Sequence, residues 1–250
     1  MNISDPDFHV PNPLSLSENE VQVWRLDLEA VAPALNRWQE VLSSDEQARA
    51  KRYLSPMAHR SFTLTRALLR TVLAAYLDAD RKQLTFHLSA KDKPALGPPY
   101  AESGITFNVS HASGVALLAF SRKRALGVDV ECIHRDLEFD DIARRFFSPY
   151  EQAALAEVSL EEKPAAFFRC WTRKEAYIKA KGEGLSLPLG EFDVSLASGD
   201  TNALLSTRPD GDEAARWSLR EVPAGKEYVG ALCVAGHDWR LRDWSQDAAG

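Results

Sequence analysis

Cysteine is scarce in this sequence: its 250 residues include three, Cys132, Cys170 and Cys233. They lie far apart and form no CxxC pair, so we expect reduced, buried side chains and no zinc or redox site. No apolar run approaches the roughly eighteen residues of a membrane-spanning helix, which argues against a membrane protein. The opening MNISDPDFHVPNPLSLSENE lacks the basic start and apolar stretch of a signal peptide, so we expect a cytoplasmic protein.

An excess of basic residues is also missing. The formal net charge is −6, which argues against a general nucleic-acid binder. Local basic clusters nevertheless occur between residues 49 and 70, between 122 and 124, and between 174 and 181. Such runs are usually solvated helix faces or turns, but three of them in an acidic chain are compatible with an anionic ligand.

The spacing of apolar residues predicts helices in the first third of the chain. Ser43 and Glu46 fit a capping box at the start of a short helix that runs to about Leu54. From Met57 to Leu77 the apolar residues recur three or four apart, as they do in an amphipathic helix packed on a core.

Further along the chain the apolar period changes to two, which predicts strands. The predicted strands are 84–88, 105–110, VALLAF, LGVDVEC, FDVSL, RWSLREV and YVGALCVAG. Helical patterns return at 140–147, 151–158 and 164–181, and we expect the tail after His237 to lack regular structure. This order predicts an α+β fold built of two similar-sized halves, 1–122 and 123–250.

Two carboxylates project from one face of the predicted strand LGVDVEC. Asp129 and Glu131 alternate with apolar residues, so both point to the same side and repel each other unless a positive charge lies between them. Carboxylates completed by waters and phosphate oxygens are the usual ligands of Mg²⁺. The alternative, a solvated strand face with two acids, stays open on this pair alone.

The segment WTRKEAYIKAKGEG adds a third carboxylate on a predicted helix. Trp171, Glu175 and Lys179 share one helix face, and Lys174 lies one position to its side. A surface ion pair between Glu175 and Lys179 is the plain interpretation, and it would contribute only a few tenths of a kcal/mol. The large aromatic residue and the glycine-flanked helix end are less typical of a solvated face.

The segment NVSHASG places Ser110 and His111 at the end of a predicted strand. Adjacent strand residues point to opposite faces, so the two cannot form a nucleophile and base pair. A hydroxyl, an imidazole and the exposed amides of a turn suit a phosphate group better. A structural role for the histidine stays open.

Taken together, GVDVE, W-x-x-K-E-A-x-x-K about forty residues later, a preceding KP loop and an N-x-S-H strand resemble the Sfp-type 4'-phosphopantetheinyl transferases. The resemblance runs from about Ser43 to Leu196. It implies two α/β halves related by a pseudo-two-fold axis, an active site in the cleft between them, and a monomer. It also implies transfer of 4'-phosphopantetheine from coenzyme A to a serine of an acyl or peptidyl carrier protein.

The same resemblance implies roles for individual residues. Asp129, Glu131 and Glu175 match the acidic residues that bind Mg²⁺ with the pyrophosphate of coenzyme A, and Glu175 is the expected base, acting directly or through water. Lys179 and Lys174 are expected to stabilise the leaving phosphate. The residues expected around coenzyme A are Arg49, Arg52, Arg60, Ser61, Lys93, Pro94, Ser110, His111 and Lys179, with Arg66 or Arg70 as substitutes for the early arginines.

A carrier protein is expected to be small and acidic, so its partner needs a basic or apolar groove. Arg144, Arg145, Phe146 and Phe147 are the candidates, although at least one of these phenylalanine rings is expected to be buried. Two alternatives remain: another Mg²⁺-dependent phosphoanhydride enzyme, and a non-catalytic module that binds coenzyme A or a carrier protein. The sequence has no GxxxxGK[ST] phosphate loop to favour the first and keeps all three acids, which counts against the second.

Overall fold

The structure is a computed structural model that describes residues 10–11, 14–88, 93–182, 184 and 187–244. Its helices are α1 (Leu28–Val31), α2 (Leu35–Gln39), α3 (Ser44–Ala50), α4 (Pro56–Leu77), α5 (Phe139–Phe146), α6 (Pro149–Ala156) and α7 (Lys163–Lys181). Its strands are β1 (Glu20–Asp27), β2 (Phe86–Leu88), β3 (Pro94–Leu96), β4 (Ile105–Ala112), β5 (Val115–Arg122), β6 (Leu126–Cys132), β7 (Phe192–Val194), β8 (Leu204–Thr207), β9 (Trp217–Val222), β10 (Tyr228–Ala235) and β11 (Arg240–Asp243).

Two sheets form the centre of the protein. The first has the strand order β11-β1-β5-β4 and the second the order β6-β10-β9, while β2-β3 and β7-β8 form small hairpins. One face of the first sheet packs on α4, and the corresponding helix of the second sheet is α7. The remaining faces pack on each other through side chains such as Val23, Leu117, Val128 and Leu232. The layers are therefore helix, sheet, sheet, helix, which confirms the predicted α+β fold of two halves.

The local predictions are confirmed for most elements. Ser43 and Glu46 form the predicted capping box of α3, and α4 and α7 begin and end within two residues of the predicted helices. The expectation for the tail is wrong for residues 240–244, and residues 245–250 lie outside the described residues. Residues Arg240–Asp243 form β11, which pairs in parallel with β1, and Trp244 stacks on Trp24 with ring centroids 4.7 Å apart. The second half of the chain thus returns a strand to the first sheet.

Strand β6 and helix α7 approach each other closely because residue 127 is glycine. A Cβ atom on Gly127 would lie 2.2 Å from the main-chain oxygen of Ala176 and 2.4 Å from the main-chain nitrogen of Ala180. Real Cβ atoms do not tolerate such distances, so any side chain at this position would push the helix backbone away from the strand. The glycine therefore sets the separation between the two elements that carry the three acids.

Replacing Gly127 with alanine should destabilise the protein by about 3 kcal/mol, because the added methyl group overlaps with rigid main-chain atoms of α7. Urea unfolding would measure the change. Gly211→Ala is the matched control, since a Cβ at Gly211 meets no atom within 4 Å. Equal stability of the two variants would show that the close approach does not constrain α7.

Candidate active site

Three acids from two elements face the junction of the halves. Asp129 and Glu131 project from β6 towards α7, and Glu175 lies on the α7 face that also carries Trp171 and Lys179. These three α7 residues are partly exposed, whereas their immediate neighbours on the helix are buried. The predicted shared face of the helix is thus confirmed, and it is the partly exposed face of α7.

The Asp129 side chain connects the two halves of the protein. Its Oδ1 atom accepts a hydrogen bond from the Ser110 hydroxyl at 2.7 Å and forms an ion pair with the Lys179 ammonium group at 2.6 Å. Lys179 also donates to Ser110 Oγ at 3.1 Å. Ser110 belongs to β4 of the first half. The Asp129 carboxylate therefore connects β4, its own strand β6 and helix α7.

The acids of this cluster repel one another. Burial raises the pKa of Glu131 to about 7, and the charges of Asp129 and Glu175 contribute to the increase, while Lys179 opposes it. Burial followed by the charge of Asp129 also raises the pKa of Glu175. Loss of surrounding water, followed by the nearby Lys179 charge, lowers the pKa of His111. The cluster therefore holds more negative charge than Lys179 alone compensates.

The donor set fits a hard divalent cation. Among the described residues, the Oδ2 atom of Asp129 is buried and has no hydrogen-bond partner. Such an atom is costly to bury unless something positive binds it. Carboxylate oxygens at Asp129, Glu131 and Glu175 are the ligand type that Mg²⁺ prefers. Among the described residues, no group of three or more His, Cys, Asp or Glu side chains is arranged to hold a metal ion as it stands, so binding of Mg²⁺ here would require further ligands from a substrate or water.

The predicted role of Lys174 is not compatible with its position. Its ammonium group is fully buried and pairs at 2.7 Å with the equally buried carboxylate of Glu151. It also donates to the main-chain oxygens of Leu189 and Phe192 at 2.7 and 2.9 Å. Lys174 therefore points into the core of the second half and not into the cleft. We correct its assignment to a structural ion pair that joins α6, α7 and the segment before β7.

A cleft of about 620 Å³ opens beside the acidic cluster in the first half. The residues that line this cleft include Pro94, His111 and several arginine and aromatic side chains. The Arg66 guanidinium lies 4.0 Å from the centroid of the Phe86 ring, and the Arg49 guanidinium lies 5.3 Å from that of Phe62. The lining residues are Ser43, Asp45, Glu46, Arg49, Phe62, Thr65, Arg66, Leu69, Arg70, Leu84, Thr85, Phe86, Leu88, Pro94, Val109 and His111.

The early residues predicted around coenzyme A divide into two groups. Arg49 lines the cleft, as do Arg66 and Arg70. Arg52 is exposed, and Arg60 forms an ion pair with Glu29 at 2.5 Å, whereas the described cleft lining includes neither of them nor Ser61. Contacts of Arg52, Arg60 and Ser61 with a ligand stay predictions, and the geometry favours the arginines within the cleft.

Lys93 and Pro94 differ in direction although they are adjacent. Pro94 lines the cleft, but the Lys93 ammonium group turns away and donates to the main-chain oxygens of Leu126 at 3.0 Å and Lys179 at 2.7 Å. The side chain of Lys93 therefore contacts the second half of the protein. The Lys93 ammonium group is therefore directed away from a ligand in the cleft, whereas Pro94 borders it.

Sequence reasoning missed Asn108, the first residue of the N-x-S-H segment. Its buried side chain accepts a hydrogen bond from the main-chain nitrogen of Val128 at 2.9 Å, next to Asp129. A spacing of two residues from Ser110 was the available signal, because both side chains then project from one face of β4. Glu46 was assigned only to a helix cap, yet it also pairs with Arg66 and Arg70.

The segment 144–147 presents both polar and aromatic groups. Arg144 and Arg145 are exposed, while Phe147 is buried, as expected for at least one of the two rings. The Phe146 ring contacts Trp171 edge to face, with centroids 5.8 Å apart. Because Trp171 precedes Glu175 by one helical turn, this basic surface lies next to the acidic cluster.

Comparison with known proteins agrees with this arrangement. A family model described as the 4'-phosphopantetheinyl transferase superfamily matches residues 125–233. A second one, described as 4'-phosphopantetheinyl transferase, N-terminal, matches residues 29–123. The chain belongs to the 4'-phosphopantetheinyl transferase superfamily, a family of transferases, and the resemblance to its Sfp-type members is confirmed.

Two curated relatives cover nearly the whole chain. The 4'-phosphopantetheinyl transferase HetI of Nostoc sp. is 38% identical over 234 residues, which are 94% of this chain and 95% of HetI. The 4'-phosphopantetheinyl transferase Sfp of Bacillus subtilis is 29% identical over 234 residues, which are 93% of this chain and 92% of Sfp. No helix in the described part of the chain combines the length and apolar character that crossing a bilayer requires.

Replacing Glu131 with glutamine should stabilise the protein in a pH-dependent way when a chelator removes divalent cations. The pKa of Glu131 is about 7 in the folded protein, against 4.5 as its ordinary value, so ionisation opposes folding. The melting-temperature gain of the variant should be near zero at pH 4.5, grow up to about pH 7 and stay constant above it. Glu161→Gln, at an exposed position, is the control. A gain that does not change with pH would contradict the assigned repulsion.

Proposed function

We propose that this protein transfers the 4'-phosphopantetheine moiety of coenzyme A to a serine of an acyl or peptidyl carrier protein. The observation that carries the proposal is the Asp129 carboxylate, which joins Ser110 and Lys179 and whose second oxygen has no hydrogen-bond partner among the described residues. Two further acids flank it, and a cleft lined by arginines opens beside it. A diphosphate ester of a nucleotide matches that combination of groups.

The nucleotide part of coenzyme A is proposed to bind in the 620 Å³ cleft. A planar base can stack on an aromatic ring, and Phe62 and Phe86 both line the wall. Arg66 and Arg49 supply the charged donors that a phosphate monoester needs. His111 lines this cleft and also interacts with Lys179, so an N–H group of its ring can donate to a phosphate oxygen.

Mg²⁺, held by Asp129, Glu131 and Glu175, would withdraw charge from the diphosphate oxygens and so favour attack on phosphorus. Lys179 is a cation that lies next to these acids. Its ammonium group now binds Asp129, and it can turn towards a phosphate that enters the cleft. Ser110 holds the other side of Asp129 and keeps that carboxylate oriented.

The reaction balances with groups that are present. The carrier serine oxygen forms a bond to the β-phosphorus of coenzyme A, and the bond between that phosphorus and the bridging oxygen breaks in line. The hydroxyl proton passes to Glu175, directly or through water. Adenosine 3',5'-bisphosphate leaves with the negative charge, which Lys179 stabilises. Catalysis is thus chiefly positioning and charge compensation.

The carrier is proposed to approach over the surface of Arg144, Arg145 and Phe146. Arg144 and Arg145 are exposed and can face an acidic partner, although Arg144 also pairs with Asp141, and the contact of Phe146 with Trp171 leads to the helix turn of Glu175. Because Ser110 and Asp129 of a single chain supply both sides of the site, a monomer is sufficient for activity. The monomeric state and the cytoplasmic location stay predictions.

The reaction itself is tested by intact-mass measurement of an unmodified carrier protein incubated with this protein, coenzyme A and Mg²⁺. We expect a gain of one phosphopantetheine mass and complete loss of that gain with EDTA. Glu175→Gln should abolish the gain while leaving coenzyme A binding nearly unchanged, whereas the exposed Glu157→Gln should behave as the parent protein. Full transfer by Glu175→Gln would contradict the assignment of Glu175 as the base. No gain in carrier mass with several carriers would favour a non-catalytic binding module.

Substitutions of Arg66 and Arg52 distinguish two placements of the nucleotide, one in the cleft and one on the surface near Arg52. Arg66→Met should raise the KM for coenzyme A by about tenfold, because a charge-assisted bond to phosphate contributes roughly 1.5–3 kcal/mol. The value of kcat should change less than about twofold, since Arg66 lies in the cleft and away from Glu175. Arg52→Met should change neither constant. The reverse pattern would move the nucleotide out of the cleft and onto the surface near Arg52.

A further inference from the structure

Strand β6 is an edge strand, yet it is buried. Among the described strands it pairs only with β10. Its odd-numbered residues provide these bonds, as shown at the ends of the pairing by Ala125 and Ile133. The main-chain groups of even-numbered residues, including Leu126 and Val128, therefore point away from β10. Both residues are fully buried, so these groups lack water and need partners from elsewhere in the protein.

Side chains take the place of a neighbouring strand along this edge. The Asn108 side-chain oxygen accepts from the nitrogen of Val128 at 2.9 Å, and the Lys93 ammonium donates to the oxygen of Leu126 at 3.0 Å. Lys179 donates to the oxygen of Val128 at 3.3 Å. Asn108 and Lys93 belong to the first half of the chain, while β6 and Lys179 belong to the second.

Lys93 has a second bond that widens its effect. Its ammonium group also donates to the main-chain oxygen of Lys179 at 2.7 Å, in the last turn of α7. A cation is favourable there because the carbonyl groups of a helix end carry partial negative charge. One side chain thus contacts β6, which carries Asp129 and Glu131, and α7, which carries Glu175.

We propose that Lys93 and Asn108 are positioning residues for the edge of β6, which Lys93 holds against α7 and Asn108 holds against β4, and that they thereby place the three acids relative to one another. Lys93 also links these acids to the nucleotide cleft, because the next residue, Pro94, lines that cleft. The effect on catalysis rests on the proposed transferase function. The effect on the strand edge does not.

A displacement of about 1 Å at reacting groups can reduce turnover by roughly a hundredfold, so the positioning has a measurable catalytic consequence. Lys93→Met removes both bonds of the ammonium group at nearly constant volume. Asn108→Leu removes the bond to Val128 and keeps the branched shape of the side chain, while Lys93→Arg keeps a cation with several donors. Arg122→Met is the matched control. Arg122 also donates to two main-chain oxygens, those of Leu16 at 2.7 Å and Ser103 at 2.9 Å, but it lies at the far end of β5.

Hydrogen–deuterium exchange of peptides spanning residues 126–132 is the first measurement, made on the full chain without ligands. We expect exchange about tenfold faster in Lys93→Met and Asn108→Leu, close to the parent rate in Lys93→Arg, and unchanged in Arg122→Met. Parent-like exchange in both edge variants, or an equal increase in Arg122→Met, would overturn the proposal.

Steady-state transfer is the second measurement. In the edge variants kcat should fall by about ten- to a hundredfold and the KM for coenzyme A should change less than threefold. Lys93→Arg should recover most of kcat. Faster exchange with an unchanged kcat would limit Lys93 and Asn108 to a structural role and overturn the catalytic part. If the parent protein transfers nothing, the proposed function fails, and the exchange measurement still decides the role of the edge.

Discussion

Negative charge in a confined space governs how this protein is built. Asp129, Glu131 and Glu175 lie close enough that burial and mutual repulsion raise the pKa of two of them. Lys179 binds only one oxygen of Asp129, and the other oxygen is left without a partner among the described residues. The close contact at Gly127, the edge bonds of β6 and the orientation of Ser110 all serve to hold groups that would otherwise separate.

The acids could be predicted from sequence because they depend on local periodicity. Alternation along β6 placed Asp129 and Glu131 on one face of that strand. The helical period placed Trp171, Glu175 and Lys179 on one face of α7. Lys174 shows the limit of such reasoning. It precedes Glu175 by one residue, which rotates it by about 100° around the helix and into the core. Its partner Glu151 lies on another helix, and no local spacing identifies that pairing.

Contacts between distant segments were the other part that the sequence did not reveal. The early arginines formed a cluster in the sequence, but only the packing of α3, α4 and β2 separates Arg49 and Arg66, which line the cleft, from Arg52 and Arg60. The bridge from Lys93 to α7 spans 86 positions. Hydrogen bonds of this kind satisfy main-chain groups at places that depend on the complete fold. The amino-acid composition and the spacing of apolar residues therefore do not predict them.

The parallel pairing of β11 with β1 has a consequence for how the chain is made. Trp244 donates to the side-chain oxygen of Gln22, 222 positions earlier, and Tyr76 donates to the same oxygen. While a ribosome is still synthesising the second half, β1 has only β5 as a neighbour, and its outer edge is available to other chains. The outer edge of β1 therefore stays open to association until residues 240–244 pair with it.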